Sequence, residues 1–161
     1  RGTGSSVCNG HPDSWLDGIS FENVRLTVAH DPNAPYDKAV HGLVFKQARN
    51  LRLRDVEVVW EGPGSAKWES GLAFEEIRGL ILDGVTAGQA PGAASAPAIL
   101  LHQVEDAIIR DCRAAEGTGT FLLFSGEGTK NILLQRNDFP KARLPYSFVS
   151  GALAQALKLG Y

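Results

Sequence analysis

Hydrophobic and polar residues alternate along this chain in short segments that repeat one pattern. The pattern runs apolar, any, apolar, any, bend residue, small or apolar, any, apolar, and it occurs five times at starts 32, 29, 27 and 25 residues apart. Alternation with period two is typical of β-strands that bury one face, so each copy predicts a strand with one bend. The copies are 19–26 (ISFENVRL), 51–58 (LRLRDVEV), 80–87 (LILDGVTA), 107–114 (AIIRDCRA) and, more loosely, 132–139 (ILLQRNDF).

A second short apolar segment precedes four of these copies, at 41–45, 71–74, 98–101 and 120–124. Each repeat therefore contains two adjacent strands and a loop of variable length. A short period of this kind indicates a solenoid whose equivalent strands stack in parallel about 4.8 Å apart. The sequence predicts an all-β fold, a right-handed parallel β-helix of about five coils, with the hand set by the usual crossover rule.

Two other architectures fit the pattern less well. A β-sandwich also has many short strands, but it does not explain the repetition. A leucine-rich repeat has a fixed asparagine and a helical return, and neither is seen here. The long Pro-, Gly- and Ala-rich loops predicted at 29–40, 62–70 and 88–97 would cluster on one side of a solenoid, which is often its binding side.

Four polar residues interrupt the alternation where the strands are predicted to bend: Asn23, Asp55, Asp83 and Asp111. Asn and Asp favour turns because their side chains bond to nearby backbone. Carboxylates on adjacent coils also suit the separation of a glycosidase acid pair. Because turn chemistry alone explains the residue type, and Arg54 and Arg110 offer ion pairs, we interpret these residues as a structural bend ladder.

The pattern divides the chain into an N-terminal loop segment at 1–17, the coils at 18–140 and a C-terminal cap at 141–161. Open solenoid ends expose strand edges and core unless something covers them. The N-terminal segment offers little apolar cover, so we expect upstream coils of a longer chain, or a homo-oligomer partner, at that end. The chain has no Met and begins with Arg1, which predicts a processed or excised piece.

A short helix is predicted to cover the other end. Ser150 is suited to cap a helix over 151–159, and Gly160 to stop it. One face of that helix would carry Leu153, Ala156 and Leu157 against the last coil.

Composition excludes several classes of protein. The 161 residues are 43% hydrophobic, enough for the core of one domain. Lys and Arg number 16 against 18 Asp and Glu, so the basic excess typical of nucleic-acid binding is missing. No apolar run approaches the ~20 residues of a membrane span, and the sequence therefore predicts neither nucleic acid nor a membrane as partner.

Metal, redox and cofactor chemistry have no clear signature. Cys8 and Cys112 show no CxxC or Cys–His spacing. The sequence does not decide whether they form a disulfide with each other. Cys112 falls in an apolar pattern that predicts a core position. Two loops combine histidine with acids, His11, Asp13 and Asp17 in one and His30, Asp31 and Asp37 in the other. Neither matches a zinc or calcium spacing, so we predict no metal site and no cofactor. His102 follows an apolar strand and is expected at the surface.

Three tryptophans are the best candidates for glycan contact: Trp15, Trp60 and Trp68. Sugar rings present apolar CH faces that stack on flat aromatic side chains, and Trp60 opens the loop that contains Trp68. Packing on the coil is the competing interpretation, because tryptophans are heavily buried on average.

The successive stretches NGHPDSWLDGISFENVRLTV, HGLVFKQARNLRLRDVEVVWEGP and GLAFEEIRGLILDGVTA resemble the last coils of polygalacturonase-like proteins, glycoside hydrolase family 28. The similarity covers about residues 9–115. It implies a right-handed β-helix, a secreted or periplasmic location and a parent enzyme that hydrolyses pectin-type polysaccharide with inversion.

The catalytic motifs of that family, Asn-Thr-Asp, Asp-Asp, Gly-His-Gly and Arg-Ile-Lys, are all missing from this chain, and 10–12 and 40–42 offer only two-thirds of the histidine motif. The resemblance therefore implies a non-catalytic C-terminal β-helix section of such a hydrolase. The alternative is a stand-alone β-helix that binds glycan or a partner chain without enzymatic activity.

Overall fold

The computed structural model describes residues 1–31, 33 and 40–160, and nearly all of its regular structure is one parallel β-solenoid. Every ladder between its named strands is parallel, which confirms the predicted all-β parallel architecture. The strands are β1 Ser6–Asn9, β2 Leu16–Asp17, β3 Ser20–Ala29, β4 Leu43–Glu61, β5 Leu72–Asp83, β6 Thr86–Ala87, β7 Pro97–Arg110, β8 Arg113–Ala114, β9 Thr118–Ser125, β10 Lys130–Gln135, β11 Ala142–Val149 and β12 Leu157–Gly160.

Each coil has three strand faces, which we number in chain order. In the coil that contains β4 they are face 1 at 43–46, face 2 at 51–54 and face 3 at 56–61. Equivalent residues of successive coils stack in register, as Leu43, Leu72, Ile99 and Leu122 do on face 1. The sequence pattern arises from this stacking, because each inward position must be apolar in every coil.

The core consists of columns of inward side chains. One column on face 1 contains Phe45, Phe74, Leu101 and Phe124, all fully buried, and the rings of Phe45 and Phe74 stack with centroids 5.5 Å apart. Burying a side chain of this size contributes about 1.5–3 kcal/mol. At both ends of the column the side chains are only half-buried. The solenoid has about four turns, so the expected number of about five coils is not confirmed.

Residues with a left-handed backbone conformation form the corners between the faces. The corner residues of successive coils form three rows, and all of them have φ between 48° and 83°. The row after face 1 consists of Gln47, Glu76, Gln103, Gly126 and Ser150. The row before face 2 consists of Gly18, Asn50, Gly79, Asp106 and Asn131, and the row after face 2 of Asn23, Asp55, Gly84, Asp111 and Arg136. Glycine, asparagine and aspartate tolerate this conformation best, which explains most of these residue types.

The predicted bend ladder is one residue out of place at Asp83. Gly84 holds the corner position in that coil, with φ of 68°. Asp83 precedes the corner and pairs in register with Arg54 and Arg110 on the neighbouring coils. Its carboxylate accepts two hydrogen bonds from Arg110, at 2.7 and 3.1 Å, because its side chain points outward between the two arginines.

The segments at the two ends differ from the prediction. The N-terminal segment is not a loop, since β1 and β2 both pair with β4. The C-terminal segment continues the solenoid through β11, which pairs with β9, and β12, which pairs with β10.

The predicted capping helix over 151–159 is wrong. Only a 3-10 turn at Ala154–Ala156 is present, and Leu153 is 56% exposed instead of covering the last coil. A helix this short is marginal by itself, whereas the free edge of β10 satisfies the backbone of β12 in a parallel ladder.

Candidate binding groove

A groove runs along face 3, on the side of the long loops. Its larger part is a cleft of about 600 Å³ whose floor includes Glu57, Val59 and Thr86. Trp60 and the loop at 88–94 form one side, and residues 115–117 of the next coil contribute to the other. Face 3 supplies a flat floor because its outward side chains stack coil upon coil, as Arg25, Glu57 and Thr86 do.

Trp60 fixes the wall of this groove. Its indole Nε1–H donates to the carbonyl oxygen of Gly88 at 3.0 Å, which ties the end of β4 to the loop on the next coil. The half-buried Trp60 ring packs on Trp68 with centroids 5.0 Å apart, and Trp68 is itself only 2% exposed. Trp68 is therefore part of the core that supports the groove, while Trp60 lines it.

Gln89 joins the loop to the following coil. Its side-chain Nε2 donates to Gly117 O at 3.1 Å, and its Oε1 accepts from Gly119 N–H at 3.2 Å. Within the same loop, Ala93 N–H donates to Ala90 O at 3.0 Å. These bonds hold the wall in one shape before any ligand arrives, which lowers the entropy cost of binding.

A second cleft of about 470 Å³ extends the groove toward the last coils. It shares Gln89, Ala94, Glu116 and Gly117 with the first cleft, and Lys141 and Arg143 line its far part. The two clefts together make one open groove across successive coils, a shape that suits an extended chain better than a compact small molecule.

The charged groups of the groove are mostly paired. Arg25 Nε lies 3.2 Å from a Glu57 carboxylate oxygen, and Lys141 Nζ lies 3.6 Å from Glu116. Within residues 1–31, 33 and 40–160, Arg143 has no acidic oxygen within 4 Å. Its guanidinium is therefore available to an anionic group of a ligand.

Trp15 lies at a different place from the other two tryptophans. It follows the tight loop after β1, beside the corners between faces 1 and 2, and the Arg78 guanidinium carbon is 4.9 Å from its ring centroid. The structure therefore separates the three predicted glycan residues into a core position (Trp68), a groove wall (Trp60) and a surface corner (Trp15).

The histidines and acids singled out by the sequence make local contacts. Asp17 accepts hydrogen bonds from Asn50 at 2.8 Å and Arg49 at 2.9 Å, and these lower the pKa of its carboxyl. His11 Nδ1 accepts from Asp13 N–H at 3.2 Å. Asp37 lies outside the described residues. Among the described residues, no three His, Cys, Asp or Glu side chains are grouped to hold a metal ion.

The structure also shows where His102 and the two cysteines lie. His102 is half-buried rather than fully at the surface, with its Nδ1 2.9 Å from Ser125 Oγ. Cys8 and Cys112 are both free thiols. Cys112 is fully buried, and burial raises its pKa to about 12, which makes it an inert core residue.

Sequence reasoning missed the residues that shape the groove. Gln89 lies in the loop predicted at 88–97, and only the expected clustering of such loops on one side pointed to its position. Lys141 directly precedes β11 and Arg143 lies within it, and no pattern in the sequence pointed to either residue. In the described ranges, no helix is long and apolar enough to cross a bilayer.

Comparisons of the chain with protein-family models, curated proteins and solved structures find no match. The geometry of the groove is therefore the main basis for a functional assignment.

Proposed function

We propose that this chain is a non-catalytic β-helix section of a polygalacturonase-like glycoside hydrolase, and that its groove on face 3 holds an extended pectin-type polysaccharide. The observation that carries the proposal is the continuity of the two clefts across successive coils, from Trp60 to Arg143. The family resemblance of the coils at about 9–115 supplies the class of parent enzyme, and with it a secreted or periplasmic location.

The lining of the groove has the chemistry that an acidic polysaccharide needs. The Trp60 ring offers a flat apolar surface for a sugar face, and Thr86 offers a hydroxyl for sugar hydroxyl groups. Arg143, which has no acidic partner in the described part of the chain, suits a uronate carboxylate, because a guanidinium binds carboxylates in a bidentate manner.

The same lining favours binding over hydrolysis. Glycosidases need one carboxyl as general acid and a second as base or nucleophile. The groove acids Glu57 and Glu116 are each paired with a cation, and the family's acid motifs do not occur in the sequence. We therefore expect the chain alone to bind polysaccharide without cleaving it.

Calorimetric titration with an oligogalacturonate tests this assignment. Arg143→Ala removes the unpaired groove cation and is expected to weaken binding about tenfold, the effect of one charge-assisted hydrogen bond. Arg52→Ala is the matched control, because Arg52 is an exposed arginine on face 2, away from the groove. Equal affinity of Arg143→Ala and the unmodified chain, or an equal loss in both variants, would contradict a site in the groove.

A further inference from the structure

Trp15 is an aromatic side chain that the core does not use. Trp60 and Trp68 belong to the hydrophobic core or pack against it, whereas Trp15 is in neither group. A half-buried indole outside the core is unusual, because tryptophan normally gains its stability from burial, and the ring contact of Trp15 is with the charged side chain of Arg78. Its position therefore needs another explanation.

The loop that carries Trp15 is firmly held. His11 N–H donates to Ser14 O at 3.0 Å and Ser14 N–H donates to His11 O at 2.8 Å, which closes a small hairpin. At its base, Gly10 lies so close to Gln47 that an added Cβ would be 2.2 Å from the Gln47 carbonyl oxygen. The backbone that leads into Trp15 is thus fixed, as the support of an aromatic binding platform must be.

The Arg78 guanidinium lies over the Trp15 ring, so a sugar can stack only on the part of the indole that Arg78 leaves to the adjoining clefts. The guanidinium carbon lies 4.9 Å from the Trp15 ring centroid, and Arg78 Nε is 3.7 Å from Glu105. Glu105 is held in turn by Lys130 at 2.7 Å. Arg78 is therefore oriented from two sides, with hydrogen-bond donors next to an aromatic ring.

Two clefts meet at Trp15 and Arg78. One, of about 360 Å³, also includes Asp13 and Arg49, and the other, of about 220 Å³, also includes Glu76 and Glu105. Around one indole the lining thus combines three carboxylates and two guanidiniums. Such a site offers one apolar surface and many hydrogen-bonding groups, which matches the two sides of a sugar ring.

We infer that the corner formed by Trp15 and Arg78 is a second carbohydrate site, and that it takes a neutral pyranose unit. The apolar face of the sugar stacks on the indole, and its hydroxyls bond to the carboxylates and guanidiniums of the clefts. Both guanidiniums of the lining already face an acid, Arg49 with Asp17 at 2.9 Å and Arg78 with Glu105 at 3.7 Å, so neither is free for a uronate carboxylate. The inference does not depend on the proposed function of the groove.

NMR titration of the whole chain tests the inference directly. The chain has three tryptophans and hence three indole N–H resonances. A neutral β-linked galacto-oligosaccharide is expected to shift the Trp15 resonance and to leave the Trp60 resonance, whose N–H is bonded to Gly88, in place. An oligogalacturonate is expected to leave the Trp15 resonance in place.

A pair of variants gives the affinity. Trp15→Ala is expected to weaken binding of the neutral oligosaccharide about tenfold, which is the loss of one aromatic contact, with an unchanged melting temperature. Leu144→Ala serves as the control and is expected to keep that affinity, because Leu144 is an exposed apolar residue of β11 that lines neither cleft. No shift of the Trp15 resonance, or full affinity in Trp15→Ala, would overturn the second site and leave the groove assignment untouched.

Discussion

The indole of Trp60 donates its hydrogen bond to Gly88 O across 3.0 Å, from the end of β4 to the loop of the next coil. This bond links the floor of the groove to its wall, and Trp68 supports the same indole from the core. The groove is thus part of the solenoid itself and is not a flexible addition to it.

The core columns should dominate the stability of the chain. Phe74→Ala empties a fully buried position between Phe45 and Leu101, and large-to-small changes of phenylalanine cost about 3–5 kcal/mol. Phe148→Ala, in the half-buried last row, is expected to cost clearly less. Denaturant unfolding followed by circular dichroism measures both changes, and a smaller loss for Phe74→Ala than for Phe148→Ala would contradict the position of the core.

Glycine at the corner after face 2 should resist substitution. Gly84 has φ of 68°, and a Cβ there would lie 2.6 Å from Asp55 Oδ1. Gly84→Ala is therefore expected to lower stability by about 1–2 kcal/mol, the cost of the left-handed conformation for an ordinary residue. Gly4→Ala is the control, since nothing lies within 4 Å of its added Cβ. Thermal melts that show equal stability for the two variants would speak against the corner geometry.

The ion pair between Asp111 and Arg136 should contribute to stability at neutral pH and lose this contribution in acid. Arg136 donates hydrogen bonds to both oxygens of Asp111, at 2.7 and 3.0 Å, and this lowers the carboxyl pKa from its ordinary value of 3.8. Because the folded state has the lower pKa, the contribution of this pair to stability is present above pH 3.8 and is lost as the pH falls below it. In an NMR titration, Arg136→Gln should return the Asp111 pKa toward 3.8, and an unchanged value would refute the pairing.

The two thiols should differ in reactivity. Burial raises the pKa of Cys112 to about 12. Burial also raises the pKa of Cys8, but this thiol is only half-buried and is open to reagents. At pH 8, iodoacetamide is expected to alkylate Cys8 first and Cys112 only after unfolding, because the thiolate is the reactive form. Mass spectrometry of digested protein reports both sites, and rapid labelling of Cys112 in the folded chain would disprove its burial.

Much of the solenoid followed from the sequence because the same inward positions recur in every coil. Leu51 and Leu53 are two residues apart in β4, and their register partners Leu80 and Leu82 are two residues apart in β5. One periodicity therefore specifies both the strand and its stacking. The pattern assigned Asp83 to the corner, but Gly84 holds that position with its left-handed backbone. Any polar residue fits the outward position just before the corner, so the sequence could not distinguish the two positions.

The structure of the C-terminal end and of the groove could not be predicted, because it depends on contacts that leave no repeating pattern in the sequence. The segment at 151–159 has helical spacing, but pairing with β10 outweighs the weak preference of a short helix. The groove wall depends on the bonds of the Gln89 amide to Gly117 and Gly119, which join a loop residue to the start of β9 and follow no repeated pattern.

The most direct test of the account is a titration of the purified chain with galacturonate oligomers of increasing length. The groove crosses successive coils from Trp60 to Arg143, so affinity should rise with each added unit and then level off once the groove is filled. No binding at any length, or an affinity that is independent of length, would contradict the proposal that the groove holds an extended polysaccharide.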